Sequence, residues 1–140
     1  MPATRNLELL APQMDVSGAL RRLGDDVELL EQIIQIFLED APGLVHVARE
    51  ALARGDETEL RRAAHSIKGM MATLGAQVGQ NSAFRLEQCA VSGNLTEASG
   101  LIHDCGERVA EMTKLLLAYL NSGGEHASPG GHASAAASLG

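Results

Sequence analysis

Residues 61–75 read Arg-Arg-Ala-Ala-His-Ser-Ile-Lys-Gly-Met-Met-Ala-Thr-Leu-Gly and combine an apolar helical stripe with a histidine off that stripe. The stripe consists of residues spaced alternately four and three apart, as on one side of an α-helix: Leu60, Ala64, Ile67, Met71 and Leu74. At roughly 100° per residue, His65 points about 140° away from the middle of this stripe. We therefore predict that the stripe is buried and that the His65 imidazole faces solvent.

His65 has cationic and very small neighbours on the same predicted face. Those within about 60° of it are Arg61, Arg62, Lys68, Gly69 and Ala72. Glycine inside a helix costs about 1 kcal/mol relative to alanine, so Gly69 suggests clearance for an approaching group. Lys68 offers a mobile point charge suited to a phosphoryl group, and a neutral imidazole is a competent nucleophile. These features predict a histidine that accepts and donates phosphate.

Surface histidines and cationic helix faces are common, so these residue types alone leave a purely structural origin equally open. Their arrangement favours function. His65, Lys68, Gly69 and Gly75 form the pattern His-x-x-Lys-Gly with a further glycine six residues later. This pattern resembles the histidine-containing phosphotransfer (HPt) domain family. The resemblance covers most of residues 15–121 and includes residues 20–24 (Leu-Arg-Arg-Leu-Gly), residues 74–76 (Leu-Gly-Ala), and Leu86 with Glu87.

The composition indicates one small helical domain. The 140 residues suit one domain with a sizeable core, and with aromatic residues at 2% that core must be aliphatic. The net charge of −7 disfavours nucleic acid as a partner, because a phosphate backbone selects concentrated Lys and Arg. Cys89 and Cys105 match no zinc spacing, so we expect reduced packing thiols.

Neither a signal peptide nor a transmembrane segment is evident in the sequence. No run of about 18 apolar residues occurs, and the first residues lack the long apolar region of a signal peptide. We therefore expect a cytoplasmic protein without membrane contact. Met1 and the trailing C-terminal segment favour a free-standing chain.

Apolar spacing and capping residues predict helices over residues 15–24, 25–39, 42–55, 56–75, 76–93 and 94–121. The expected N-caps are Asp15, Asp25, Asp56 and Asn94, the last three followed by a glutamate three residues on. Pro42 is expected to open a new helix, because proline is favoured in a first turn and disfavoured in a helix interior. Residues 1–14 have no clear period and are left unassigned.

Helices joined by short loops run antiparallel, and no segment alternates apolar and polar residues as a strand does. The predicted fold is therefore all-α, an antiparallel up-down four-helix bundle with additional short N-terminal helices. The resemblance to HPt domains implies the same fold with an exposed histidine. Residues 122–140, rich in Gly, Ala and Ser, are predicted to be a disordered tail in which His126 and His132 could bind metal only adventitiously.

The resemblance also implies a mechanism. His65 would take a phosphoryl group from a receiver-domain aspartate, typically in a hybrid sensor kinase, and pass it to a response-regulator receiver. Mg²⁺ would belong to the receiver, so this chain is expected to be a monomeric phosphocarrier with no metal, cofactor or kinase activity of its own. It also lacks a Walker loop for ATP.

Further roles are assigned to the neighbours of His65. Lys68, helped by Arg61 or Arg62, would offset charge on the transferring oxygens, and Gly69 would give room. Ser66 could donate a hydrogen bond to the phosphoryl group or be only a surface residue. Ala72 belongs to the predicted partner surface, whereas Met70 is borderline and Met71 is predicted core. The predicted partner surface also includes Arg61, Arg62, Ser66 and Glu87. Glu87 falls where some relatives place a glutamine, and near His65 its charge would oppose an incoming phosphoryl group.

Two other classes stay open. One is a helical module that binds or inhibits a kinase or receiver without carrying phosphate. The other is a metalloprotein or enzyme using His46, His65 and His103, although none of these has the Glu-x-x-His spacing of di-iron bundles.

Overall fold

The computed structural model describes residues 5–123 and is all-helical over that range. A 3₁₀ turn (Leu7–Leu10) and a short helix α1 (Val16–Arg22) precede four long helices. These are α2 (Val27–Arg54), α3 (Glu57–Thr73), α4 (Gln77–Ser92) and α5 (Ala98–Ser122), the last preceded by a 3₁₀ turn (Leu95–Glu97). Consecutive long helices pack side by side, and α5 also packs on α2, which closes an antiparallel four-helix bundle. The predicted fold class is confirmed.

The core is aliphatic, as the composition predicts. Phe37 and Tyr119 are its aromatic members among residues 5–123. The apolar stripe of α3 is buried along its whole length, with each member at most 1% exposed: Leu60, Ala64, Ile67, Met71 and Leu74. Cys105 is buried, which raises the pKa of its thiol to about 11, and Cys89 is partly buried on another helix. Both thiols are free, as expected.

The prediction of a helix break at Pro42 is wrong, because α2 runs without interruption from Val27 to Arg54. Proline removes the hydrogen bond that its N–H would give to the carbonyl of Leu38, but Pro42 lies on the exposed side, where water can solvate that carbonyl. On the opposite side the buried stripe continues past it through Leu30, Ile34, Phe37, Ala41, Val45, Ala48 and Ala51. Burial of this stripe outweighs the local cost of the proline.

Two predicted N-caps are displaced. Asp26, not Asp25, caps α2, and its Oδ1 accepts a hydrogen bond from Leu29 N at 3.0 Å. Asp25 instead adopts a left-handed conformation (φ 61°) directly after Gly24 (φ 70°), so the chain turns one residue later than predicted. Asn94 caps the 3₁₀ turn through Thr96 N, and α5 begins only at Ala98. The caps Asp15 and Asp56 are confirmed by bonds to Gly18 N and Glu59 N.

Helix α1 is attached to the C-terminal end of α3. Asp15 N donates to the carbonyl oxygen of Gly75 at 2.8 Å, and Arg22 donates to the carbonyl oxygen of Ala72 at 3.1 Å. Gly75 has φ 72°, and a Cβ there would lie 2.8 Å from the carbonyl oxygen of Asp15. The glycine that ends α3 is therefore needed both for its backbone conformation and for this close approach.

Of the unassigned N-terminal segment, residues 5–10 pack on the end of α5, and residues 1–4 lie outside the described range. Leu10 is fully buried, and Arg5 donates both to the carbonyl oxygen of Leu120 (2.8 Å) and to Glu31 (2.9 Å). Glu31 also accepts a hydrogen bond from the hydroxyl of buried Tyr119 at 2.6 Å. At the other terminus α5 includes Ser122, one residue into the predicted tail, whereas the rest of that tail from residue 124 lies outside the described range.

Candidate functional site

His65 lies midway along α3 on the side opposite the buried stripe. Its neighbours Ala64 and Ile67 are fully buried, whereas the His65 side chain is 64% exposed. Since α3 is anchored through Leu60 and Met71 on either side of His65, the imidazole is presented from a rigid helix. This is the orientation that the helical spacing predicts.

A carboxylate from α4 holds the imidazole. Oε2 of Glu87 lies 2.7 Å from Nδ1 of His65, and Oε1 of the same carboxylate lies 2.7 Å from Nζ of Lys68. Glu87 is itself nearly buried, with 11% of its side chain exposed. One carboxylate from α4 therefore bridges two side chains of α3.

The environment of Glu87 fixes its charge. Burial alone would raise the pKa of its carboxyl group, but the contacts with Lys68 and His65 outweigh burial and hold the pKa below its ordinary value. The ionised carboxylate is an acceptor only, so the proton of a neutral imidazole resides on Nδ1. Nε2 is then left with its lone pair available, which is the state required of a nucleophile.

Lys68 is more confined than its length suggests. Only 26% of its side chain is exposed, and its ammonium is 5.5 Å from the centroid of the Phe84 ring, a residue of α4. Phe84 is a site residue that sequence reasoning missed. The available signal was its position off the buried stripe of α4, where a large aromatic has no role in the core.

The remaining predicted site residues stay on the α3 surface. Gly69 is exposed, and a Cβ built on it would meet no atom within 4 Å other than those of its chain neighbours and its own helix backbone, so the space beside the imidazole is open. Arg61 and Ser66 are exposed, and Ala72 is partly buried. Arg62 lies 3.8 Å from Glu59 of its own helix and does not join the contacts around Glu87. Met70 is partly buried and Met71 is buried, as predicted.

Glu87 lies inside the site instead of on the partner surface to which the sequence assigned it. Its side chain is turned towards His65 and Lys68, and little of it is accessible to a partner. The ammonium of Lys68 also neutralises much of the negative charge that was expected to repel a phosphoryl group. Its geometry is that of a residue that positions the imidazole.

The alternative of a metalloprotein has no candidate metal site in residues 5–123. No three His, Cys, Asp or Glu side chains in that range are arranged to hold a metal ion. The three histidines considered for such a site are exposed on three different helices: His46 on α2, His65 on α3 and His103 on α5. None of the helices in the described part of the chain has the length and apolar character needed to cross a membrane.

The chain belongs to the Hpt domain family, whose sequence model matches residues 32–122. Membership places it among the histidine phosphotransfer proteins, which are phosphocarriers and not kinases. Among solved structures it is similar to histidine-containing phosphotransfer protein B (HptB) from Pseudomonas aeruginosa PAO1. The two are 26% identical with a TM-score of 0.69, and the match covers 76% of this chain and 92% of the HptB chain. A comparison with curated proteins gave no match.

Proposed function

We propose that the protein is a phosphorelay intermediate that carries a phosphoryl group on Nε2 of His65. The donor is the aspartyl phosphate of a receiver domain in a hybrid sensor kinase, and the acceptor is the aspartate of a response-regulator receiver. One observation carries the proposal: an exposed imidazole whose Nδ1 is held by Glu87, with the ammonium of Lys68 on the same carboxylate.

The chemistry is nucleophilic displacement at phosphorus. The lone pair of Nε2 attacks, an N–P bond forms, and the P–O bond to the donor aspartate breaks, so that the aspartate leaves as a carboxylate. The ring becomes cationic because Nδ1 keeps the proton that it donates to Glu87, and the negative charge of Glu87 stabilises that cation. In the second transfer the receiver aspartate attacks the same phosphorus, and a neutral imidazole leaves.

The other residues serve the transferring oxygens and the partner. Lys68 offsets negative charge on the phosphoryl group, and the open space above Gly69 admits the receiver loop that bears the aspartate. Exposed or partly exposed residues around them form the proposed partner surface: Arg61, Arg62, Ser66 and Ala72. Mg²⁺ is supplied by the receiver, and this chain binds no cofactor of its own.

The remaining features of the proposal concern the whole chain. The phosphocarrier unit spans residues 15–121, acts as a monomer and works in the cytoplasm. Its partners are receiver domains and a hybrid sensor kinase, not nucleic acid, which fits the net charge of −7.

Transfer of label from a phosphorylated receiver tests the function. The wild-type chain should acquire phosphate that is labile in acid and stable in base, as a phosphoramidate bond is. The variant His65→Gln should fold and acquire none. His46→Gln replaces another exposed histidine and should behave as wild type. Label that persists in His65→Gln would assign the phosphate to another residue.

The second candidate is a module that binds a kinase or receiver without carrying phosphate. The same variant separates the two functions. A pure binding module keeps its affinity and its effect on the partner in His65→Gln, and its wild-type form takes up no label. A carrier keeps the affinity and loses the transfer.

A further inference from the structure

Phe84 is an exposed aromatic in a chain that has almost none. The protein contains two phenylalanines, of which Phe37 is 1% exposed in the core and Phe84 is 45% exposed on α4. Phe84 lies one helical turn before Glu87, and its ring centroid is 5.5 Å from Nζ of Lys68. This separation lies within the range of a cation–π interaction. The core therefore does not account for Phe84, whereas its contact with Lys68 does.

The ammonium of Lys68 is held by two groups of α4. The carboxylate of Glu87 attracts it at 2.7 Å, and the face of the Phe84 ring lies beside it and displaces water. A lysine on an open helix surface samples many rotamers and keeps its ammonium fully hydrated. Here the side chain is only 26% exposed, so the charge has a defined position before any phosphoryl group arrives.

We propose that Phe84 is a positioning residue, which holds the ammonium of Lys68 beside His65 for phosphoryl transfer. The proposal rests on the phosphocarrier function described above. With the ring in place, the Lys68 side chain is already ordered and its ammonium partly dehydrated before the phosphoryl group arrives. The free-energy cost of ordering and dehydrating it is therefore not added to the barrier for transfer. Without the ring, Glu87 remains as the one contact from α4, and the ammonium gains access to solvent.

The test compares Phe84→Leu with Phe84→Tyr in the full chain. Leucine keeps an apolar side chain and removes the π-system, whereas tyrosine keeps the ring. Phosphoramidate serves as the donor because it forms no protein interface: Nε2 attacks its phosphorus, the N–P bond of the donor breaks, and ammonia leaves. Phe84→Leu should slow phosphorylation of His65 by about two- to five-fold, the effect of a cation–π contact at an exposed site. Phe84→Tyr should stay close to wild type.

Val91→Ala is the matched control. Val91 is another exposed apolar residue of α4, 61% exposed, and it lies two turns beyond Phe84. Its truncation should leave the phosphoramidate rate unchanged. A loss in Val91→Ala equal to that in Phe84→Leu would show a general effect of α4 on the reaction and would overturn the specific role of Phe84.

A double-mutant cycle shows whether Phe84 acts through Lys68. Phe84→Leu should have no further effect on the rate once Lys68→Gln has removed the ammonium. If the effect persists undiminished in Lys68→Gln, the positioning role is wrong. It is also wrong if Phe84→Leu slows transfer from a phosphorylated receiver but not from phosphoramidate, because Phe84 is then a contact for the partner.

A structural readout keeps this inference separate from the phosphocarrier function. The ε-CH₂ protons of Lys68 should show an upfield ring-current shift in NMR spectra of the wild type and of Phe84→Tyr, and lose it in Phe84→Leu. If the shift behaves in this way but His65 takes phosphate from no donor, the phosphocarrier function fails while the contact stands. If the Lys68 ε-CH₂ shift is the same in the wild type, Phe84→Tyr and Phe84→Leu, the positioning role is wrong, whatever the transfer rates are.

Discussion

Nδ1 of His65 and Oε2 of Glu87 lie 2.7 Å apart although the two residues belong to different helices. The contact defines which ring nitrogen carries the proton and which one is free for the proposed phosphoryl transfer. It also ties the reactive side chain of α3 to the packing of α4, where Ala83, Leu86 and Ala90 are buried around Glu87. The orientation of the His65 imidazole therefore depends on how α4 packs in the bundle.

Substitution of Glu87 should separate its charge from its hydrogen bond. Glu87→Gln keeps an oxygen acceptor for the Nδ1 proton and loses the charge, so phosphorylation of His65 should slow by about five-fold, equivalent to about 1 kcal/mol. Glu87→Ala loses both and should slow it by roughly ten- to a hundred-fold. Initial rates of label transfer measure both effects. Glu107→Gln, an exposed change on α5, is the control, and a wild-type rate in Glu87→Ala would remove Glu87 from the mechanism.

The same carboxylate should make the free energy of unfolding depend on pH. The folded-state pKa of Glu87 lies below its ordinary value of 4.5, so its ionised form stabilises the fold fully above that value. This stabilisation should disappear as the pH falls below 4.5 through the lowered folded-state pKa. Urea unfolding of wild type and Glu87→Gln at about pH 6 and about pH 3 measures it. The stability difference between the two proteins should shrink at the lower pH, and a constant or growing difference would contradict the assigned ion pairs.

Pro42→Ala should stabilise the protein. Alanine restores the N–H that can donate to the carbonyl of Leu38, and the exposed position requires no repacking. Proline costs about 3 kcal/mol in a helix interior, partly offset by the greater freedom of the unfolded alanine chain, so we expect a gain of about 1–2 kcal/mol. The midpoint of denaturant unfolding measures it, and phosphotransfer should not change. A loss of stability would mean that α2 requires the proline.

Gly69→Ala should raise stability and impair transfer from a receiver. Apart from its chain neighbours and the backbone of its own helix, nothing in the described fold lies within 4 Å of an added Cβ, so alanine should contribute up to about 1 kcal/mol through helix propensity. The methyl group would occupy the space proposed for the partner. Gly43→Ala, an equally open helical glycine on α2, should give a similar gain in stability with normal transfer. Normal transfer in Gly69→Ala would show that clearance is not the reason for this glycine.

The features of the fold that could be predicted from the sequence are those that depend on local periodicity and on capping residues. The buried stripe of α3 and the outward direction of His65 follow from residue spacing alone, and so do the caps at Asp15 and Asp56. The sequence did not predict that α2 continues through Pro42, because tertiary burial there outweighs a local preference. Asp26 caps α2 because the left-handed turn includes both Gly24 and Asp25. The sequence does not show whether such a turn ends before or after Asp25.

The site was predictable in part for the same reason. His65, Lys68 and Gly69 lie on one helix, so their relative placement follows from helix geometry. The bridging position of Glu87 and the ring of Phe84 over Lys68 depend on how α4 is rotated and shifted along α3. No pattern within either helix specifies that relationship, although an aromatic off the buried stripe was a usable sign.

The N-terminal segment and the end of α5 meet at one end of the bundle: Asn6 N donates to the hydroxyl of Ser122 at 2.9 Å, next to the contacts of Arg5 with Leu120 and Glu31. Because the first and last described residues of the bundle lie side by side, the bundle can be inserted into a surface loop of another protein without distorting that loop. A circular permutant of residues 5–123, with residues 5 and 123 joined by a short linker and new ends at Gly55 or Gly93, should therefore keep the same bundle. Such rearranged chains would still present His65 from the middle of α3, clear of the splice.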